Sequence, residues 1–160
     1  MEHLIIFFCF AITLHNIEEA IWLPQWSQKP SKFQMAVTPS EFHFAVIIIT
    51  ILAYLSAFSY LYFPESDLAK WIFIGFLGSM VFNAIFPHLI ATILLKTYAP
   101  GLLTGLLLNI PINSLIIYEL LENHLIIWKE LIISTVIIGI ILLSLIPLLF
   151  KMSRKLCPYT

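Results

Sequence analysis

Charge is nearly absent from five stretches of this chain, and each stretch is about as long as a membrane is thick. A hydrocarbon core of roughly 30 Å takes about 20 apolar residues to cross as a helix. The stretches lie at about 4–23, 42–63, 68–96, 101–121 and 125–150. Hydrophobic residues make up 61% of the chain and charged residues 11%. A soluble domain carries about 25% charged residues, so water cannot be the solvent for most of this surface. Strands are the alternative, but they cross lipid only as closed barrels whose segments alternate polar with apolar. The run 131–141 is apolar on every side, which favours helices. The expected fold is all-α, an integral membrane bundle of five transmembrane helices forming one domain over 1–160. Pro87 and Pro111 fall inside the third and fourth helices and are expected to kink them. Each frees the carbonyl four residues earlier, at Asn83 and Leu107, for a partner or a cavity.

One connection is long. Residues 24–41 hold three prolines, two lysines, Trp26, Phe33 and Met35, the composition of a loop lying in the headgroups. Trp22, Trp26, Trp71 and Trp128 stand near segment ends, as aromatic belts do. With the C-terminus in the cytoplasm, Lys29, Lys32, Lys96, Lys151, Arg154 and Lys155 are inside, and Lys70 and Lys129 outside. That is the direction of the positive-inside rule, so the N-terminus is expected outside. The first apolar run lacks a basic leader and contains His15, Glu18 and Glu19, so it reads as a retained helix. The very short N-terminus suits a bacterial inner membrane. Cys9 and Cys157 sit at opposite ends of the chain and suggest no disulfide framework. A net charge of -1 gives nucleic acid no purchase. The lipid bilayer is the expected partner, with a lipid-like or hydrophobic small molecule as candidate ligand. The oligomeric state is left open.

Ionisable groups inside lipid cost about 2.5–3.5 kcal/mol each on insertion scales and usually mark function. Here they are His15, Glu18 and Glu19 on the first helix and His88 on the third, with Asn16, Asn83, Thr92, Asn109 and Asn113 as neutral companions. Glu18 and Glu19 follow His15 at i+3 and i+4, so the three share a stripe that can turn inward together. His15, His88 and Asn109 each stand eight residues from an expected helix end, about 12 Å inside one boundary at 1.5 Å per residue. His88 and Thr92 share a face, as do Asn109 and Asn113. Asn83 lies about 140° around from His88 at 100° per residue and is expected to point elsewhere. Two adjacent carboxylates in low dielectric repel, which calls for a bound cation or a retained proton. His3, His43 and His124 lie near interfaces and are expected to be solvated. Plainer readings exist: His15–Glu19 as an internal hydrogen bond, and Asn109 with Asn113 as helix–helix glue.

His15-Asn16-Ile17-Glu18-Glu19 is a His-x-x-Glu-Glu motif on an N-terminal membrane segment. With Asn83, Pro87-His88, Tyr98-x-Pro100-Gly101 and Asn109-x-Pro111, it resembles the HXXEE family of integral membrane proteins over roughly residues 11–115. The resemblance implies that His15, Glu18, Glu19 and His88 are the family's functional residues and lends no reaction. The residue types suggest His15, Glu19 and His88 as ligands of a divalent metal such as zinc or iron. Asn109 and Asn113 are candidate ligand-binding groups. A carboxylate beside an imidazole is equally a general acid–base pair. An enzyme acting on a lipid-soluble substrate, or a membrane protein that binds such a ligand, is therefore the leading expectation. A small transporter or proton pathway and a non-catalytic subunit whose polar cluster fixes packing are the alternatives.

Overall fold

The computed structural model describes residues 2–28 and 36–156. Among them are five helices long and apolar enough to cross a membrane. They are α1 (Glu2–Ser27), α2 (Pro39–Tyr62), α3 (Asp67–Leu95), α4 (Leu102–Glu122) and α5 (Trp128–Leu156). The chain is a multipass helical membrane protein. Residues 29–35 of the 24–41 connection, including Lys29, Lys32, Phe33 and Met35, lie outside the described residues, as does Cys157.

The first helix does not stop at Pro24 but runs on to Ser27. A proline inside a helix strands the carbonyl four residues earlier, which here belongs to Ala20. That carbonyl accepts a hydrogen bond from His43 Nε2 on α2 at 2.9 Å. His43 is exposed, as expected, yet it has this structural task. The start of α2 is fixed by its own sequence. Thr38 caps it by accepting from Glu41 N, Glu41 accepts from Thr38 N, and Pro39 opens the first turn, a reciprocal cap followed by the residue best suited to that position.

Two helices depart from regular α geometry. In α3 a π-helical turn covers Ala84–Leu89, and Phe86 leaves helical space with φ −125° and ψ 116°. In α4 a π-helical turn covers Gly105–Asn109. The connection between them, through Lys96 with φ 50° and Gly101 with φ 93°, turns inward so that Ala99, Pro100 and Gly101 are buried.

Close helix contact in lipid relies on small residues, because tails outside are as apolar as side chains inside. Gly75 and Gly78 bring α3 against α5. A Cβ at Gly78 would lie 1.9 Å from Thr135 Oγ1, and one at Gly75 would lie 2.8 Å from the Ser134 carbonyl oxygen. On the same side of the bundle, Tyr60 stacks on Phe73 at 5.1 Å and Phe8 meets Phe73 edge-on at 5.5 Å. Ile74, Leu77, Ile116 and Leu120 complete a wholly apolar core there. At the opposite end, Arg154 Nε reaches Glu41 Oε1 at 3.0 Å, and Ser153 Oγ donates to the Ser40 carbonyl at 3.1 Å. These contacts tie the end of α5 to the start of α2.

Candidate metal centre

The His15–Glu19 stripe of α1 faces the interior as a unit, and its two carboxylates find different surroundings. Glu18 meets the first turn of α4. A helix start presents backbone N–H groups without intrahelical partners and a partial positive charge. Glu18 Oε1 accepts from Gly101 N at 2.8 Å, and Oε2 accepts from Thr104 N at 2.9 Å. The Thr104 hydroxyl donates to Oε2 at 2.6 Å, and the Tyr98 hydroxyl donates to Oε1. Desolvation first, and the bond to Glu18 second, push the Tyr98 phenol above its ordinary value, so it remains a donor at neutral pH. Glu18 is thus a cap made by another helix, with four donors for one carboxylate.

This cap sets the state of His15. Thr104 has one hydroxyl proton, and Glu18 takes it. His15 Nδ1, 3.1 Å from the same oxygen, must therefore be the N–H donor. Neutral imidazole carries one proton, so the lone pair of His15 is on Nε2. That nitrogen lies 3.8 Å from Glu19 Oε1. His88 Nε2 lies 2.9 Å from the same Glu19 oxygen. The two rings cross edge-to-face with centroids 5.2 Å apart, which meets the sequence expectation that they share one site.

Both histidines and Glu18 are buried to 5% exposure or less, and the Glu19 side chain is 13% exposed. One ligand atom from each of His15, Glu19 and His88 can be chosen so that all lie within 4.8 Å of one another. Bond lengths near 2.0–2.1 Å in a tetrahedral zinc site imply ligand–ligand separations of about 3.4 Å. The 2.9 and 3.8 Å separations to Glu19 bracket that value. This buried cluster can coordinate a metal ion.

Asn83 corrects the sequence reading. It does not point elsewhere: its Nδ2 is 3.3 Å from His15 Nε2 and 3.2 Å from His88 Nε2. The 100° step per residue holds only along an unbroken α-helix, and the π-helical turn with Phe86 at its centre separates Asn83 from His88. His88 Nε2 therefore faces a carboxylate oxygen, which wants an N–H, and an amide N–H, which wants a lone pair. One nitrogen cannot serve both. Turning the amide over would present Oδ1 beside both imidazoles as a fourth ligand atom.

Gly101 closes the cluster from above. Its φ of 93° is a conformation that side chains disfavour. An added Cβ would lie 2.8 Å from His88 Cε1, 3.0 Å from His15 Cε1 and 3.1 Å from Glu19 Cγ. Thr92 does not join His88 at the centre. Its hydroxyl accepts from Ala99 N at 3.0 Å and pins the inward-turning connection.

Asn109 and Asn113 are buried to 1% and 0% exposure, and none of their four amide atoms has a hydrogen-bond partner among the described residues. Equal spacing from the expected helix ends places Asn109 level with His15. Instead Gly101 and Gly105 approach the imidazoles, and Asn109 lies about a turn further along α4. The error came from treating Gly101 as the membrane boundary, whereas it is buried within the bundle. Tyr98 and Gly101 carried a signal in the motif resemblance. Thr104 carried none, since a lone threonine at a helix start is commonplace.

The family described as "Protein of unknown function with HXXEE motif" matches residues 6–116 of the chain. The chain is 74% identical over 158 residues to "Uncharacterized protein YrkK" of Bacillus subtilis (strain 168), an alignment covering 99% of this chain and 100% of the relative. No solved structure matches. The chain belongs to the HXXEE family.

Proposed function

We propose that this HXXEE-family membrane protein is an enzyme that works within the bilayer on a lipid-soluble substrate. His15, Glu19 and His88 would hold a zinc or iron ion, and the chain would act as one transmembrane domain. The observation that carries the reading is the convergence of two imidazoles and one carboxylate from α1 and α3 in the bundle interior. Two histidines and a carboxylate form the ligand set of catalytic zinc sites and of non-haem iron sites, both of which keep a position open for substrate. Bound there, the ion would supply Lewis acidity. The chain's own part is to fix the donors. In this reading Glu18 is a positioning residue: it holds the Thr104 hydroxyl so that His15 keeps its proton on Nδ1, the outer-shell role that orients metal-binding histidines.

The Glu19–His88 contact at 2.9 Å also supports acid–base catalysis without a metal, and elemental analysis of chelator-free protein separates the two. Near one equivalent of metal in the wild type, lost in Glu19→Gln with expression intact, is the expected result. A metal-free wild type would remove the metal centre and leave the acid–base pair.

Pro87 and Pro111 are the proposed causes of the irregular turns in α3 and α4, each by removing a backbone donor. The unpartnered Asn109–Asn113 pair favours a second reading, in which these amides bind a small ligand or line a proton path. Proton uptake by sealed vesicles, abolished by Asn113→Leu, would support that path over the enzyme. The proposed location is a bacterial inner membrane with the N-terminus out. Thiol labelling of Cys157 should then require access from the cytoplasmic side, and labelling from outside reverses the topology.

A further inference from the structure

A cavity of about 460 Å³ opens beside the metal cluster, within the range of sites that take small ligands. Glu19, Asn83 and His88 form part of its wall, and Asn16 adds a fourth polar group. The rest is almost entirely apolar, supplied mainly by the first half of α2, the middle of α3 and the middle of α5. Both Thr135 and Phe150 border it, so it follows α5 for roughly 22 Å at 1.5 Å per residue. Its rim carries exposed apolar residues on two helices: Phe82 and Phe86 on α3, and Val136, Ile140 and Leu143 on α5. All five belong to membrane-crossing helices, so the solvent at this mouth is lipid.

We infer that the cavity is a binding site for a single-chain amphiphile, with its tail lying along α5 between α2 and α3 and its oxygen-bearing head against Glu19, Asn83 and His88. This rests on the enzyme reading above and names the substrate class for it. The shape argues for one chain: the cavity is long and its polar groups gather at one wall. The chemistry of that wall argues for a hydroxyl or carbonyl head, which can meet His88 and Asn83 by hydrogen bonds and can coordinate a metal held by the same residues. A lateral mouth in lipid lets such a molecule enter without crossing water.

Gly139 offers a clean obstruction. It lines the cavity on α5, and an added Cβ meets only Ser79 Oγ, at 3.5 Å. Gly139→Leu should fill the space without touching His15, Glu19 or His88, and Ile146→Trp should block it from a second position. The probe is a long-chain fatty alcohol carrying a diazirine in mid-chain, photolysed with full-length protein in nanodiscs. Cross-links should concentrate on Met80, Gly139, Leu142 and Ile146, and each blocking variant should lower them at least fivefold. Gly139→Ala should label like the wild type. Metal content is read on the same samples and should be unchanged in Gly139→Leu, which also reports an intact fold. Labelling spread evenly over lipid-facing residues such as Ile47, Ile51 and Ile132, and indifferent to both blocking variants, would overturn the inference. Blockable labelling in a protein that binds no metal would uphold the cavity site and overturn the metal centre. Metal without blockable labelling would do the reverse.

Discussion

Glu18 and Glu19 are neighbours in sequence and opposites in surroundings. Around Glu18, at the start of α4, every contact is a donor: two backbone N–H groups and two hydroxyls meet one carboxylate. Around Glu19, two imidazoles converge, His88 at hydrogen-bond distance and His15 further off with its lone pair aimed inward. The first region is complete within the protein. The second gathers two imidazoles and a carboxylate whose ligand atoms a cation could join. The repulsion expected of adjacent carboxylates is thus handled by giving each its own environment. In the proposed function, that difference separates a residue that positions its neighbours from one that is available for chemistry.

That contrast can be broken from outside. Gly101 belongs to both regions, donating to Glu18 and packing on both imidazoles. Gly101→Val should produce the largest effect. Left-handed backbone costs a side chain about 1–2 kcal/mol, and the Cβ contacts add to it. Thermal unfolding in detergent should show a clear loss of stability together with loss of metal. A stable, metal-loaded Gly101→Val would mean that the connection does not sit over the cluster.

The two glutamates should then respond in opposite ways. Glu18→Gln replaces an all-acceptor group with one that is half donor, and hydrogen bonds to a charged group are worth about 1.5–3 kcal/mol each. It should lower stability by roughly 3 kcal/mol and lower metal content only as a consequence. Glu19→Gln should cost under about 1 kcal/mol of stability while removing the metal. Equal stability losses in the two variants would erase the distinction.

Thr104→Val tests the link between the regions and should have the smallest effect on metal binding. It removes the acceptor of His15 Nδ1–H, and with it one of the four donors to Glu18, while keeping the side-chain shape. Loss of such an outer partner typically weakens metal binding about 10–100-fold. A competition titration with a chelator would measure it, and unchanged affinity would mean that Thr104 does not set the His15 tautomer.

The five crossings were legible because lipid demands length and apolarity, and both are visible in a one-dimensional pattern. The union of His15, Glu19 and His88 was legible for a related reason: ionisable groups in lipid must face inward, and an unbroken helix fixes which neighbours share a face. What escaped depended on broken regularity. Asn83 was assigned to the wrong side because the rotation per residue fails across Ala84–Leu89. The end of α1 was placed too early because Pro24 reads as a stop, whereas His43 from another helix takes the orphaned carbonyl. Thr104 and Gly101 reach the cluster only because the α3–α4 connection folds inward, which no local pattern announces.

The attachment of α5 has a mechanical consequence. One stretch is pressed against α3 at Gly75 and Gly78, and the far end is tied to α2 through Arg154 and Ser153. Most of the cavity-lining part of α5, from Gly139 to Phe150, lies between these anchors, and Thr135 at the first anchor borders the cavity too. A beam held at two points bows in the span between them, and Pro147, which donates no backbone hydrogen bond, stands within that span. Flexure of that one span would widen the mouth beside the cluster while both anchors and the His–Glu centre keep their registration.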